Sequence, residues 1–169
     1  SFLNTKVASY LTKSFNSTLN LTVDDVRKLP IPPSEVSPVP KYYEQLLSLA
    51  RTDWDAYERS WDFKTCPLLE AIPNLTTLES SYSKWIKQIH KDILTMKEFE
   101  EENNRLFIDV YGLKDEITDD VPIEEITLTM NPFYRYGKDY NEEEKWLRFK
   151  RDTIAELLSY ATGCMMGRY

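Results

Sequence analysis

Apolar positions recur at helical intervals in four stretches of the chain. Val7, Ala8, Leu11 and Phe15 share one face, with Asn4 as candidate N-cap and Asn16-Ser17 as the stop. From Lys41 to about Arg59, Tyr43, Leu46, Leu47, Ala50 and Trp54 repeat the pattern, and Thr52 or Asp53 is placed to cap a second short helix. The longest stretch runs from about Thr77 to Tyr111. Ile86, Ile89, Ile93 and Met96 set its phase, Phe107 and Val110 resume it, and Glu100 and Asn103 interrupt it, so that Phe99 and Leu106 take over on a rotated face. Gly112 stands where a C-terminal cap is expected. The last helix is expected from about Asn141 to Met165, with Leu147, Ile154, Leu157, Ala161 and Cys164 on one stripe and Leu158 and Met165 widening it. Asn141 and Glu144 have capping-box spacing. Two stretches alternate instead, Thr18–Val23 and Ile126–Met130, and are read as short half-buried strands.

Between these elements, Asp24-Asp25 opens a single turn, and Pro30, Pro32, Pro33, Pro38 and Pro40 fix φ and remove backbone donors. That segment is expected to run extended, as a connector. Ser60–Leu69, with two aromatics and a proline, is expected to plug a groove between helices, and Lys114–Pro122 to form a solvated acidic loop. The expected fold is mainly α: a helical domain with a long central helix, a proline-rich connector and one or two short strand pairs. Residues 1–40 form the connector part and 41–169 the helical domain. Ile89 and Ile93 should be buried against Ile154 and Leu157 of the last helix, and Glu100 should face solvent or a polar neighbour.

Composition narrows the chemistry. The chain has 169 residues, 41% hydrophobic, with a formal net charge of -7, which describes a soluble domain large enough to fold without metal or disulfide. Two distant cysteines, Cys66 and Cys164, point to a reducing, cytoplasmic setting, and no apolar run is long enough for a membrane span. The four glycines fall in no phosphate-binding pattern, and His90, alone in a helical stretch, cannot build a zinc site or a triad. The acidic loop misses the spacing of a calcium-binding loop. Asn131-Pro132-Phe133-Tyr134 resembles the Asn-Pro-Pro-Tyr signature with which adenine-amino methyltransferases hold a flipped base, but Phe133 stands at the third position and no cofactor turn precedes it. It is read as a turn between a strand and a tyrosine-rich loop. No residue is assigned as catalytic, cofactor-binding or metal-ligating.

Phe2–Ala8, continuing to Asn16–Asn20 and Leu29–Pro32, resembles the segment that closes the target-recognition region in type IIG-like adenine methyltransferases. Asp53-Trp54-Asp55, Ser60–Phe63, Pro67-Leu68-Leu69, Glu101–Leu113 and Leu158–Tyr169 resemble the following helical region of the BREX phage-defence adenine methyltransferases of the PglX type. The resemblance implies a long parent enzyme that uses S-adenosylmethionine to methylate adenine in double-stranded DNA alongside other phage-defence proteins. It further implies that this piece lies downstream of the catalytic domain and holds no cofactor itself.

Three roles compete on these grounds. The first is a non-catalytic helical spacer that positions DNA relative to the catalytic part. The second is a DNA-contacting module using Arg135, Tyr136, Lys138, Lys145, Arg148 and Arg151, against which the net charge of -7 weighs. The third is a protein-interaction module that docks another defence protein through exposed aromatics drawn from 11 Tyr, 7 Phe and 4 Trp.

Overall fold

The structure is a computed structural model, and it describes residues 2–16, 18, 20–31, 43–70 and 77–169. Among them are seven α-helices: α1 (Lys6–Phe15), α2 (Val23–Arg27), α3 (Tyr43–Asp55), α4 (Pro67–Glu70), α5 (Leu78–Tyr111), α6 (Pro132–Tyr136) and α7 (Glu142–Met165), with 3-10 turns at Phe2–Asn4 and Ile123–Glu125. The mainly helical class and the long central helix are as expected. No strand occurs among the described residues, so the expected short strand pairs are not seen there. The connector prolines from Pro32 to Pro40 lie outside the described residues. No helix of the described residues is long and apolar enough to cross a membrane.

The chain divides into two compact units, one of Ser1–Leu46 with Lys97–Val121, the other of Leu47–Met96 with Pro122–Tyr169. The single helix α5, 34 residues long, contributes residues to both.

In the first unit, Thr5 rather than Asn4 caps α1, its hydroxyl accepting the Ala8 N–H. Val7, Phe107 and Ile108 form a small core closed by Phe2, Leu11, Tyr111, Leu113 and Ile117. The Phe2 ring stacks on Tyr111, with centroids 5.6 Å apart. Asn104 tethers two segments: Oδ1 accepts the Lys6 N–H at 3.0 Å, and Nδ2 donates to the Asp119 carbonyl at 3.3 Å. α5 ends where Gly112 takes a φ of +66°, and Leu113 N–H donates back to Ile108 O while Gly112 N–H donates to Asp109 O. These are the paired bonds of a Schellman cap, which favours glycine at that position.

The acidic loop is largely exposed, as expected, with Asp115, Glu116 and Asp120 at the surface, and two basic side chains of α5 tether it. Lys97 reaches Glu101 at 2.6 Å, Asp120 at 3.0 Å and the Val121 carbonyl at 2.6 Å, and Arg105 meets Asp119 at 2.9 Å.

The first expected strand gives way to a capping network. Thr22 caps α2 in a capping box with Asp25, whose carboxylate also accepts from Asn16 Nδ2 at 2.8 Å. Local side-chain bonds of this kind compete with strand pairing, and the alternating apolar residues that a strand would bury, Leu21 and Val23, are exposed.

In the second unit, Leu68, Ile89, Ile93, Met96, Ile126, Leu128, Met130 and Phe149 are buried. Ile89 and Ile93 lie on the inner face of α5, as expected. The inner face of α7 is different: Lys145, Phe149 and Thr153 are buried, whereas Leu147, Leu158, Ala161 and Cys164 are exposed and Ile154 and Leu157 are half-buried. Aromatic packing sets that face. Phe149 stacks on Trp85 at 5.5 Å and meets Trp146 edge-on at 5.9 Å, while His90 of α5 stacks on Trp146 at 4.4 Å. These rings bury far more area than the leucines of the expected stripe.

Trp61 does not plug a groove, because its side chain stands fully in solvent. Phe63 instead packs edge-on against Tyr160 and Tyr169 at 5.7 and 5.6 Å. α7 is closed by the same device as α5, with Gly167 at a φ of +71° and Arg168 N–H donating to Gly163 O.

Candidate functional site

The second unit organises its polar residues around the segment 126–131. Ile126, Leu128 and Met130 are buried and alternate with the more exposed Thr127 and Thr129, so the period-two pattern is real although no strand pairs with it. Two of its backbone donors go to a side chain instead, while Ile126, Leu128 and Asn131 N–H bond nearby carbonyls. Asp53, near the end of α3, accepts the Thr129 N–H at 2.7 Å through one carboxylate oxygen and the Met130 N–H at 2.8 Å through the other. Burial pushes the Asp53 pKa above the usual carboxylate range, against the lowering effect of those two bonds.

Asn131 follows, fully buried. Its Nδ2 donates to the carbonyls of Ile123 at 2.7 Å and Ile126 at 2.9 Å, and its Oδ1 accepts the Phe133 N–H at 3.1 Å as the N-cap of α6. Pro132 occupies the first helical position, where its missing N–H costs nothing. The Asn-Pro-Phe-Tyr tetrapeptide is therefore a helix start, and its amide is engaged by backbone on both sides.

The six candidate DNA-contacting residues all belong to this unit, but the structure divides them. Arg135 lies against Glu156 at 3.0 Å and Asp152 at 3.4 Å, and the Tyr136 hydroxyl donates to Asp152 at 2.8 Å. Burial works against the Arg135 cation, yet the bond to Glu156 and the nearby negative charges leave its pKa above the ordinary value. Burial likewise raises the pKa of Glu156 and, with the Asp152 bond, that of Tyr136. Lys145 is buried, with its ammonium 5.1 Å from the Phe133 ring centroid. Lys138, Arg148 and Arg151 are exposed, Arg148 with its guanidinium 3.8 Å over the Tyr140 ring.

Beside this network lies a cavity of about 770 Å³ with an open mouth. Asp53, Tyr57, Arg59, Arg135 and Glu156 stand in its wall with Trp54, Trp85, Leu128 and Tyr134. The Arg59 guanidinium lies 4.6 Å over the Trp54 ring and 5.3 Å over the Tyr57 ring, and it donates to the Thr129 hydroxyl. No group of three or more His, Cys, Asp or Glu that would hold a metal ion occurs among the described residues. Sequence reasoning missed Tyr57, Arg59 and Glu156 and took Asp53 for a possible helix cap. Arg59 bonds Thr129, 70 residues away, Glu156 bonds Arg135, 21 away, and Asp53 bonds Thr129 and Met130, 76 and 77 away, and no local spacing signals such pairs.

No protein-family model matches the chain. It is 31% identical over 167 residues to the adenine-specific methyltransferase BrxX of Escherichia coli O9:H4 (strain HS), and 32% identical over 171 residues to the adenine-specific methyltransferase PglX of Lacticaseibacillus casei (strain Zhang). Each alignment takes in 99% of the chain. Nearly the whole chain is thus similar to one segment of the proteins named BrxX and PglX. It spans 13% of the length of either relative. The tetrapeptide at Asn131 shares three of the four residues of a base-holding motif and has the bonding of a structural one.

Proposed function

We propose that this chain serves a BREX phage-defence methyltransferase as a non-catalytic helical spacer, positioning duplex DNA for a catalytic part that binds S-adenosylmethionine elsewhere. In this reading residues 1–40 close a target-recognition region and 41–169 form the spacer, working beside other proteins of the defence system. The observation that carries it is α5. At 1.5 Å per residue its 34 residues extend for about 51 Å, the length of roughly 15 base pairs of duplex. One uninterrupted helix of that length suits a strut better than a reaction centre. The relation to BrxX and PglX supports the setting.

The test uses the full-length methyltransferase. Leu94 is exposed on α5, and Leu94→Pro breaks a helix at a cost of about 3 kcal/mol or more. Methylation should fall at least tenfold while S-adenosylmethionine affinity is unchanged. Unaltered methylation would refute the spacer.

Direct DNA contact is the second reading, favoured by the exposure of Lys138, Arg148 and Arg151. Reversing these three charges in the parent separates the two. A spacer leaves duplex affinity and its salt dependence unchanged, whereas three lost phosphate contacts lower the salt slope by up to about 2.7.

A further inference from the structure

The face of α7 opposite the buried Lys145, Phe149 and Thr153 carries a second pattern. Leu147, Arg151, Ile154, Leu158, Ala161 and Met165 follow one another at alternating intervals of four and three, the spacing of the a and d positions of a coiled coil. The stripe runs for about 27 Å along the helix. Leu147 is 69% exposed, Leu158 64% and Met165 81%; Arg151 and Ala161 are also exposed, and Ile154 is half-buried. Single surface leucines are ordinary, but an apolar stripe in register with a helical repeat marks an interaction surface.

The residues along the stripe identify its occupant. Its one charged member is Arg151 and its smallest is Ala161. In a parallel pair of identical helices each position faces its own counterpart, so two arginines would meet at Arg151. An antiparallel pair, with its two-fold axis between Ile154 and Leu158, sets Leu147 against Met165, Arg151 against Ala161 and Ile154 against Leu158, each layer occurring twice. The longest cationic side chain then lies over the smallest residue, from which its head can reach water, and every other layer is apolar.

The flanking positions agree. Antiparallel pairing places Arg148 beside Thr162, Lys150 beside Cys164 and Leu157 beside its own counterpart, so no two like charges meet. Arg148, Lys150 and Arg151 come alongside the last turns of the facing helix, where the dipole is negative. Glu144 comes level with Arg168, just past the end of that helix. We propose that the outer face of α7 is a self-pairing surface, joining two copies of this chain antiparallel through Leu147, Ile154, Leu158, Ala161 and Met165. The inference is independent of the spacer reading, and it withdraws Arg151 from direct DNA contact.

Sedimentation of the full-length methyltransferase over a range of concentrations should show a monomer–dimer equilibrium with a Kd of about 100 μM or tighter, as a seam of about five helical turns at the small end of specific interfaces implies. Leu158→Glu should weaken the dimer at least tenfold and leave the unfolding midpoint unchanged, because that side chain is exposed. Ala161→Arg should weaken it as much, by setting a second cation against Arg151. Combining Arg151→Glu with Ala161→Arg should restore the wild-type Kd to within about threefold, since the opposite charges meet across the pair only in the antiparallel register. A methyltransferase that stays monomeric throughout overturns the pairing and leaves the stripe to a helix elsewhere in the parent or in another protein. Dimerisation unmoved by Leu158→Glu overturns the choice of face. Failure of the double variant to restore the dimer overturns the antiparallel register.

Discussion

Replacing Asn131 separates the two meanings of the Asn-Pro-Phe-Tyr tetrapeptide. The side chain is fully buried and makes three hydrogen bonds, two donated to the Ile123 and Ile126 carbonyls and one accepted from Phe133 N–H. In Asn131→Ala all three are lost. Two neutral bonds at about 1 kcal/mol each and an N-cap worth about 1 kcal/mol give a loss of about 3 kcal/mol. With a urea m value of about 1 to 3 kcal/mol/M, the midpoint falls by roughly 1 to 3 M.

Asn131→Asp adds a pH signature. The carboxylate keeps the cap, but it turns negative oxygens towards two carbonyls, so at pH 7 the loss should match or exceed that of the alanine variant. Burial and the facing carbonyls raise the folded-state pKa of the new carboxyl above its unfolded value of about 3.9. A raised pKa means that its stabilising contribution is full below the unfolded pKa and disappears as pH rises through the folded one. Protonated, the group donates one hydrogen bond again. Urea melts at pH 7 and near pH 4 should therefore show the aspartate variant recovering part of its loss relative to wild type, and the alanine variant recovering none. A loss below about 1 kcal/mol for Asn131→Ala would refute the structural role and reopen the base-holding one.

Two further outcomes check the packing and the capping network. Ile93 is 2% exposed and its neighbour Leu94 is 54% exposed, so Ile93→Ala should cost about 2 to 5 kcal/mol and Leu94→Ala about 0.5 kcal/mol or less in urea melts; equal losses would mean that the inner face of α5 is misassigned. Hydrogen bonds from the Thr22 hydroxyl, Asn16 and the Thr22 backbone lower the Asp25 pKa to about 2, so the stability it contributes is present above about pH 4 and lost as pH falls through 2; thermal melts across that window should show a smaller acid-induced drop in Asp25→Asn than in wild type.

What could be read from the sequence was local. α5 was expected from about Thr77 to Tyr111 and runs from Leu78 to Tyr111, because its periodicity is long and Gly112 ends it with an achiral residue. Asn141 and Glu144 form the capping box that their spacing implied. Alternation misled in both strand readings, for different reasons. At 18–23 the described apolar residues, Leu21 and Val23, are exposed and the hydroxyl and amide side chains bond the backbone locally. At 126–130 the alternation truly separates buried from more exposed, but no strand pairs with it: Ile126 and Leu128 N–H bond nearby carbonyls, and Thr129 and Met130 N–H bond Asp53, more than 70 residues away. Periodicity reports which side is buried and not who satisfies the backbone. The inner face of α7 escaped for a related reason. Lys145 and Thr153 count as polar, yet the Lys145 ammonium lies 5.1 Å from the Phe133 ring centroid and the Thr153 hydroxyl bonds the Phe149 carbonyl at 2.8 Å, which offsets the cost of burying them.

The net charge of -7 carries less weight against DNA contact than it does when spread over the whole chain. The second unit holds 13 basic and 15 acidic side chains, so most of the excess belongs to the first. Within α7 the acids and bases are also separated along the axis. Glu142, Glu143 and Glu144 occupy the first turn, where they complement the helix dipole, and Arg148, Lys150 and Arg151 follow. From Glu143 to Arg151 the rise is about 12 Å, more than the Debye length of about 8 Å at physiological salt. A phosphate approaching the exposed Lys150 and Arg151 meets their charges with the acidic turn largely screened, whereas Arg148, about 6 Å of rise from Glu144, stays within its range. Low salt lengthens the Debye distance and brings those glutamates into range. Any affinity of this turn for duplex DNA should therefore fall less steeply with salt than three phosphate contacts alone require, and the slope, rather than the affinity, is the quantity that separates contact from spacing.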